Sequence, residues 1–135
     1  MLKMMKRTHL SIATAITIPI ILKSNLSPTV VIGVIGAVAP DWDFYIGIQH
    51  RTLTHSLLAT IITTSVISLF NAQVGLIWGL SYLSHLISDS FTKMGVPFLY
   101  PFIKTRQGFK LIYSGGGEDY FVQLIFIYLS MQYFI

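Results

Sequence analysis

Five apolar stretches, separated by short polar breaks, organise the chain: about Thr8 to Leu22, Leu26 to Ala39, Leu53 to Phe70, Val74 to Phe91, and Tyr120 to Ile135. β-Branched residues run through them (Val30-Val31-Ile32, Ile61-Ile62-Thr63-Thr64), which in water would favour strands. None of the stretches alternates strictly between apolar and polar, as the strands of a membrane barrel do. In a bilayer only helices or closed barrels satisfy their own backbone, so the stretches predict helices. A full crossing takes roughly 20 apolar residues. The third and fourth stretches approach that length only by including His55, His85 and Asp89, and the first two fall short. The pattern therefore predicts an all-α, integral-membrane bundle of four to five short helices, some tilted or only partly penetrating.

Composition supports the membrane class. The 135 residues are 53% hydrophobic and 10% charged, against about 25% charged in ordinary soluble domains. Mean hydropathy is +0.69. A soluble core of this size needs a polar shell that the chain lacks residues to build. The length fits one membrane-embedded domain, 1–135. A cleaved signal peptide is the rival reading of the first stretch, with Ala37-Val38-Ala39 as the cut. Lys23 and Asn25 interrupt that pattern and Pro40 would follow the cut, both against cleavage.

Charge adds a topology. Lys3, Lys6 and Arg7 crowd the start, and Lys93, Lys104, Arg106 and Lys110 share one late segment. By the positive-inside rule the N-terminus is cytoplasmic. Counting crossings then puts Asp41, Asp43, His50, His55, His85 and Asp89 at one membrane face, with His9 and Glu118. No basic stripe is interleaved with aromatics, so a nucleic-acid partner is not implied; the expected partner is membrane lipid.

The chemistry is concentrated in Pro40-Asp41-Trp42-Asp43, His50-Arg51-Thr52-Leu53-Thr54-His55-Ser56 and Ser84-His85-Leu86-Ile87-Ser88-Asp89-Ser90-Phe91-Thr92. Ionisable groups in such apolar surroundings mark a functional site by default. His85 and Asp89, four apart, share a helix face. Asp41 and Asp43, two apart after a proline, are expected in a turn or helix end, where both can point to one ion. His50 is expected in a loop and His55 in the first turn of the next helix. Cysteine is absent, so a metal must take nitrogen and oxygen ligands. His with carboxylate suits Zn²⁺, Mn²⁺ or Fe²⁺. The expected ligands are His9, Asp41, Asp43, His50, His55, His85 and Asp89, holding one or two divalent ions, Zn or Mn foremost. Arg51, with Lys93, can neutralise a phosphate or developing oxyanion. Thr54, Ser56 and Thr92 are placed to orient ligands. The blander alternatives are that Asp41 and Asp43 cap a helix, that Arg51 is a topology charge, and that Ser and Thr bond their own helix backbone. Gly115-Gly116-Gly117 is a flexible turn, and Trp42, Trp78, Tyr100 and Tyr113 fit an interfacial belt or packing.

In these residues the chain resembles the YdjM-like family of bacterial membrane-bound proteins, described as predicted metal-dependent hydrolases. The resemblance is carried by His9, Pro40-Asp41-Trp42-Asp43, His50-Arg51-Thr52-Leu53-Thr54-His55-Ser56, Ser84-His85-Leu86-Ile87-Ser88-Asp89, Phe91-Thr92-Lys93-Met94-Gly95-Val96, Pro101 and Gly117-Glu118. It implies an inner-membrane location and a divalent-metal site built from the family's His and Asp residues. The expected function is hydrolysis by metal-activated water of a phosphoester or lipid-like substrate at the inner leaflet, with Arg51 and Glu118 as catalytic residues. The phosphoester comes from a looser likeness to zinc-dependent phospholipases C, by analogy alone. The same cluster also allows an ion or proton transporter, or an adaptor clamped by a structural metal.

Overall fold

The computed structural model describes residues 5–113 and 115–134; of the features above, Lys3 and Ile135 lie outside them. The fold is all-helical. Helix α1 spans Lys6–Lys23, α2 Asp43–Ile46, α3 Leu57–Phe70, α4 Ala72–Ser90 and α5 Gly117–Met131. Three 3-10 helices, Pro28–Ala37, Ala39–Trp42 and Leu53–His55, fill the connections. Among the described residues no strand forms, only isolated bridges between Thr92 and Ile112 and between Val96 and Gln107.

Local chemistry sets the breaks. Ser56 caps α3 by accepting the Ala59 N–H, so His55 sits in the short turn before α3 and not in its first turn as the pattern suggested. Asn71 caps α4 by accepting the N–H groups of Gln73 and Val74, which folds α3 and α4 into a hairpin. Helix α4 is central, packing against α1, α3 and the Pro28–Ala37 helix. Trp78 belongs to this packing rather than to an interfacial belt: its Nε1–H donates to Thr63 Oγ1 across the hairpin at 3.1 Å.

The second apolar stretch departs most from expectation. It forms a ten-residue 3-10 helix, although such runs rarely exceed three or four residues. Its buried positions explain the choice. Val30, Gly33 and Gly36 recur every third residue, and three residues per turn aligns them in one stripe. That stripe lies directly on α4. A Cβ at Gly33 would stand 2.8 Å from the backbone N of Trp78, and one at Gly36 only 2.6 Å from the Trp78 carbonyl oxygen. Gly36→Ala is therefore expected to cost about 1–3 kcal/mol by overpacking, read as a lower midpoint in denaturant unfolding. An unchanged midpoint would show that the seam is not close-packed.

Polarity is arranged inside out. The fully buried side chains include Arg51, His9, His55, His85 and Thr17, while Leu69, Phe70 and Phe102 are 85–88% exposed. An apolar exterior around a polar interior suits lipid as the solvent. No single helix among the described residues is long and apolar enough to cross a membrane. The Pro28–Ala37 and Ala39–Ile46 pair passes that test only together, bent by 54°. The multi-pass topology counted from charge thus rests on no individual helix of the structure.

Candidate metal centre

Four separate parts of the chain meet at one end of the bundle. On α4, His85 Nε2 lies 3.3 Å from Asp89 Oδ2. His55 Nε2 lies 3.3 Å from His85 Nε2 and 3.4 Å from Asp89 Oδ2. Asp41, from the Ala39–Trp42 turn, places Oδ1 3.7 Å from His55 Nε2 and 3.8 Å from His85 Nε2. From α1, His9 stacks on the His85 ring at 3.7 Å and sets Nε2 3.4 Å from Asp89 Oδ1. Ligand bonds of about 2.0–2.1 Å in a tetrahedron give edges of roughly 3.3–3.4 Å. The spacing of the His55, His85 and Asp89 donors matches that edge, and Asp41 is a few tenths of an ångström wider.

Hydrogen bonds on the far side of each ring decide where the lone pairs point. His85 Nδ1 faces the Ala37 carbonyl at 2.6 Å, which only accepts, so Nδ1 carries the proton. His9 Nδ1 lies 2.9 Å from Ser88 Oγ, whose own proton goes to the His85 carbonyl. His55 Nδ1 lies 3.1 Å from Thr54 Oγ1, whose proton goes to Asp43 Oδ2. All three imidazoles are thereby fixed with Nδ1 protonated, and all three Nε2 lone pairs face the carboxylates of Asp89 and Asp41. Nε2 atoms facing carboxylate oxygens at 3.3–3.4 Å are satisfied either by a proton on Nε2 or by a cation between them. Outer partners of this kind are what fix the tautomer of metal-ligating histidines. Thr54→Val is accordingly expected to weaken metal binding about 10–100-fold, measured by competition with a chelator; an unchanged affinity would remove Thr54 from this role.

Arg51 is buried, and φ +55° holds its backbone in the left-handed region. Its Nη2 lies 2.9 Å from Asp89 Oδ1, and Nη1 donates to Thr92 Oγ1 at 2.9 Å and to the Gly95 carbonyl at 3.0 Å. Burial pulls the Arg51 pKa below its ordinary value, opposed by the Asp89 and Asp41 carboxylates. Burial likewise lowers the pKa of His55, opposed by its hydrogen bond with Asp89. A neutral imidazole is the form a metal requires.

The expected residues divide into three groups. His9, Asp41, His55, His85 and Asp89 converge on one centre. Asp43 does not face the centre that Asp41 joins. The two lie on consecutive helical turns, where residues two apart point about 200° away from each other, and Asp43 takes the Nδ1 side of the rings. It lies 2.9 Å from His50 Nδ1 and 3.5 Å from His55 Nδ1. His50 stands behind His55 on that carboxylate, although Asp41, His50 and His55 do bring donor atoms within 4.8 Å of one another. Glu118 is the clearest departure. It is exposed and accepts the Tyr113 N–H at 2.8 Å, away from the histidines. Lys93 is exposed too, above the Tyr113 ring. The buried acid at this end is instead the next residue, Asp119. Its only sequence signal is an acidic pair at a helix start after three glycines.

Fold and site together define a small helical protein of membrane character whose polar interior is a His/Asp cluster able to hold a metal ion. The chain belongs to the family described as YdjM inner membrane protein, which matches residues 4–134. No curated protein and no solved structure matches the chain.

Proposed function

We propose that the cluster binds a divalent metal, Zn²⁺ or Mn²⁺, and that the protein is a membrane-bound hydrolase acting on a phosphoester of a lipid-like amphiphile. The observation that carries the reading is the set of three Nε2 lone pairs fixed toward two carboxylates. A bound divalent ion supplies a Lewis acid and a water acidic enough to attack near neutral pH. His55, His85 and Asp89 would hold it, with Asp41 and His9 completing or extending the set. Arg51 steadies Asp89 and keeps a buried Nε with no hydrogen-bond partner among the described residues, a donor suited to a phosphate oxygen. An apolar cavity of about 360 Å³ lies between α1, α4 and α5, lined by Ile12, Ile16, Ile87, Phe91 and Phe126. Ser88, the partner of His9, is in its wall. That lining suits an acyl chain.

The reading is tested by incubating detergent-purified protein, loaded with Zn²⁺ or Mn²⁺, with phospholipids in mixed micelles and with a water-soluble phosphodiester. Metal-dependent release of a phosphorylated headgroup, faster from the micelles than from the soluble diester, is expected. Metal binding without turnover of either would favour a closed, structural metal site in a non-catalytic adaptor. The near-complete burial of His55, His85 and Asp89 is the observation on that side.

A further inference from the structure

Helix α1 begins badly by its own resources. Its N-cap is Met5, which offers no side-chain cap, and its first turn contains no acidic residue. Lys6 and Arg7 occupy that turn instead, positive charges at the positive end of the helix dipole. Yet the next turn carries His9, whose ring must stay on Asp89 and His85. An uncapped, like-charged helix start frays, and fraying here would swing an imidazole out of the centre.

The missing cap comes from the far end of the chain. Asp119, on the first turn of α5, is fully buried. Its Oδ2 accepts the Met5 N–H at 2.8 Å and the Gly115 N–H at 3.0 Å, and its Oδ1 accepts the Thr8 hydroxyl. One carboxylate therefore satisfies an orphan backbone donor at the start of α1, neutralises the first turn, grips the residue before His9 and closes the glycine turn that leads into α5. We propose that Asp119 is a positioning residue of the metal centre, capping α1 from α5 so that His9 Nε2 is held on Asp89. Asp119 does not touch the cluster itself; it acts through Thr8 and His9. The inference rests on the metal-holding reading of the cluster.

The test uses Co²⁺, whose visible spectrum reports coordination number and ligand set, titrated into the 135-residue chain in detergent. His9→Ala and Asp119→Asn are each expected to weaken Co²⁺ binding about 10–100-fold and to change the spectrum alike. The double variant should be no worse than His9→Ala alone, because both act through the same ring. Asparagine offers one acceptor oxygen where three donors converge. If Asp119→Asn fails to fold, Thr8→Val, which removes one of the three donors and keeps the carboxylate, carries the test with a smaller shift of the same sign. Normal Co²⁺ affinity and spectrum in folded Asp119→Asn, or additive losses in the double variant, would overturn the positioning role while leaving the metal centre standing. Wild-type protein that takes up no Co²⁺ would overturn the metal reading and this inference with it.

Discussion

The His85→Ala/Asp89→Ala variant is expected to bind no stoichiometric metal, whereas wild-type protein purified in detergent carries about one ion per chain or takes it up on reconstitution. Asp89 is the hub of the centre: Oδ2 lies 3.3–3.4 Å from His85 and His55, and Oδ1 is 2.9 Å from Arg51 and 3.4 Å from His9. Removing it with His85 deletes two adjacent donors and strands two lone pairs. The loss should exceed the about 10–100-fold typical of outer partners alone. Because the double variant also leaves Arg51 without its ion pair, Asp89→Asn is the control. It keeps the shape of the side chain, and it should still lower affinity sharply by removing the negative charge. Elemental analysis of all three proteins decides the matter. Equal metal in wild type and double variant would place the ion elsewhere; none in wild type after Zn²⁺ or Mn²⁺ reconstitution would end the hydrolase reading.

Arg51→Met should produce the second large effect, on stability. The guanidinium is buried against Asp89 with Thr92 and Gly95 as further acceptors. Methionine restores much of the volume but no charge, so the buried Asp89 loses its arginine counter-charge and keeps only its histidine neighbours. Breaking such a pair by removing one partner costs about 3–5 kcal/mol. A divalent ion on the same carboxylate supplies an alternative counter-charge. The penalty is therefore expected to be large in metal-free protein and markedly smaller with saturating Zn²⁺, measured by denaturant unfolding under both conditions. A penalty that is equal with and without Zn²⁺ would mean that the ion and Arg51 do not share Asp89.

The helical class was legible because it follows from composition and backbone physics: apolar stretches without strand alternation have one economical way to satisfy their N–H and C=O groups. The His85/Asp89 pair was legible for the same kind of reason, since a spacing of four on a helix dictates proximity. The separation of Asp41 from Asp43 is not legible in the sequence, because a spacing of two means one face on a strand but opposing faces on a helical turn, and the PDWD segment does not declare which. The 3-10 conformation of Pro28–Ala37 was hidden in a Val30, Gly33, Gly36 period that reads as merely apolar until α4 is set beside it. Glu118 and Asp119 are neighbours of like charge and like size, and only the direction of the α5 turn separates an exposed carboxylate from a buried one.

Residue types and near-range spacing were enough to establish an apolar helical chain with polar clusters that had to be explained, and to name the histidines and aspartates in them. Those properties depend on local backbone geometry and on the cost of placing charge in apolar surroundings. The pairing of partners was settled by tertiary structure alone. It put Asp41 on the Nε2 side and Asp43 on the Nδ1 side, gave each ring its own protonated nitrogen through Ala37, Ser88 and Thr54, and brought Asp119 to the start of α1. Such contacts join residues up to 114 positions apart, and a hydrogen bond forms only over a few tenths of an ångström of donor–acceptor distance. No pattern read along the chain carries that precision; the packing of α1 against α4 and against α5 does.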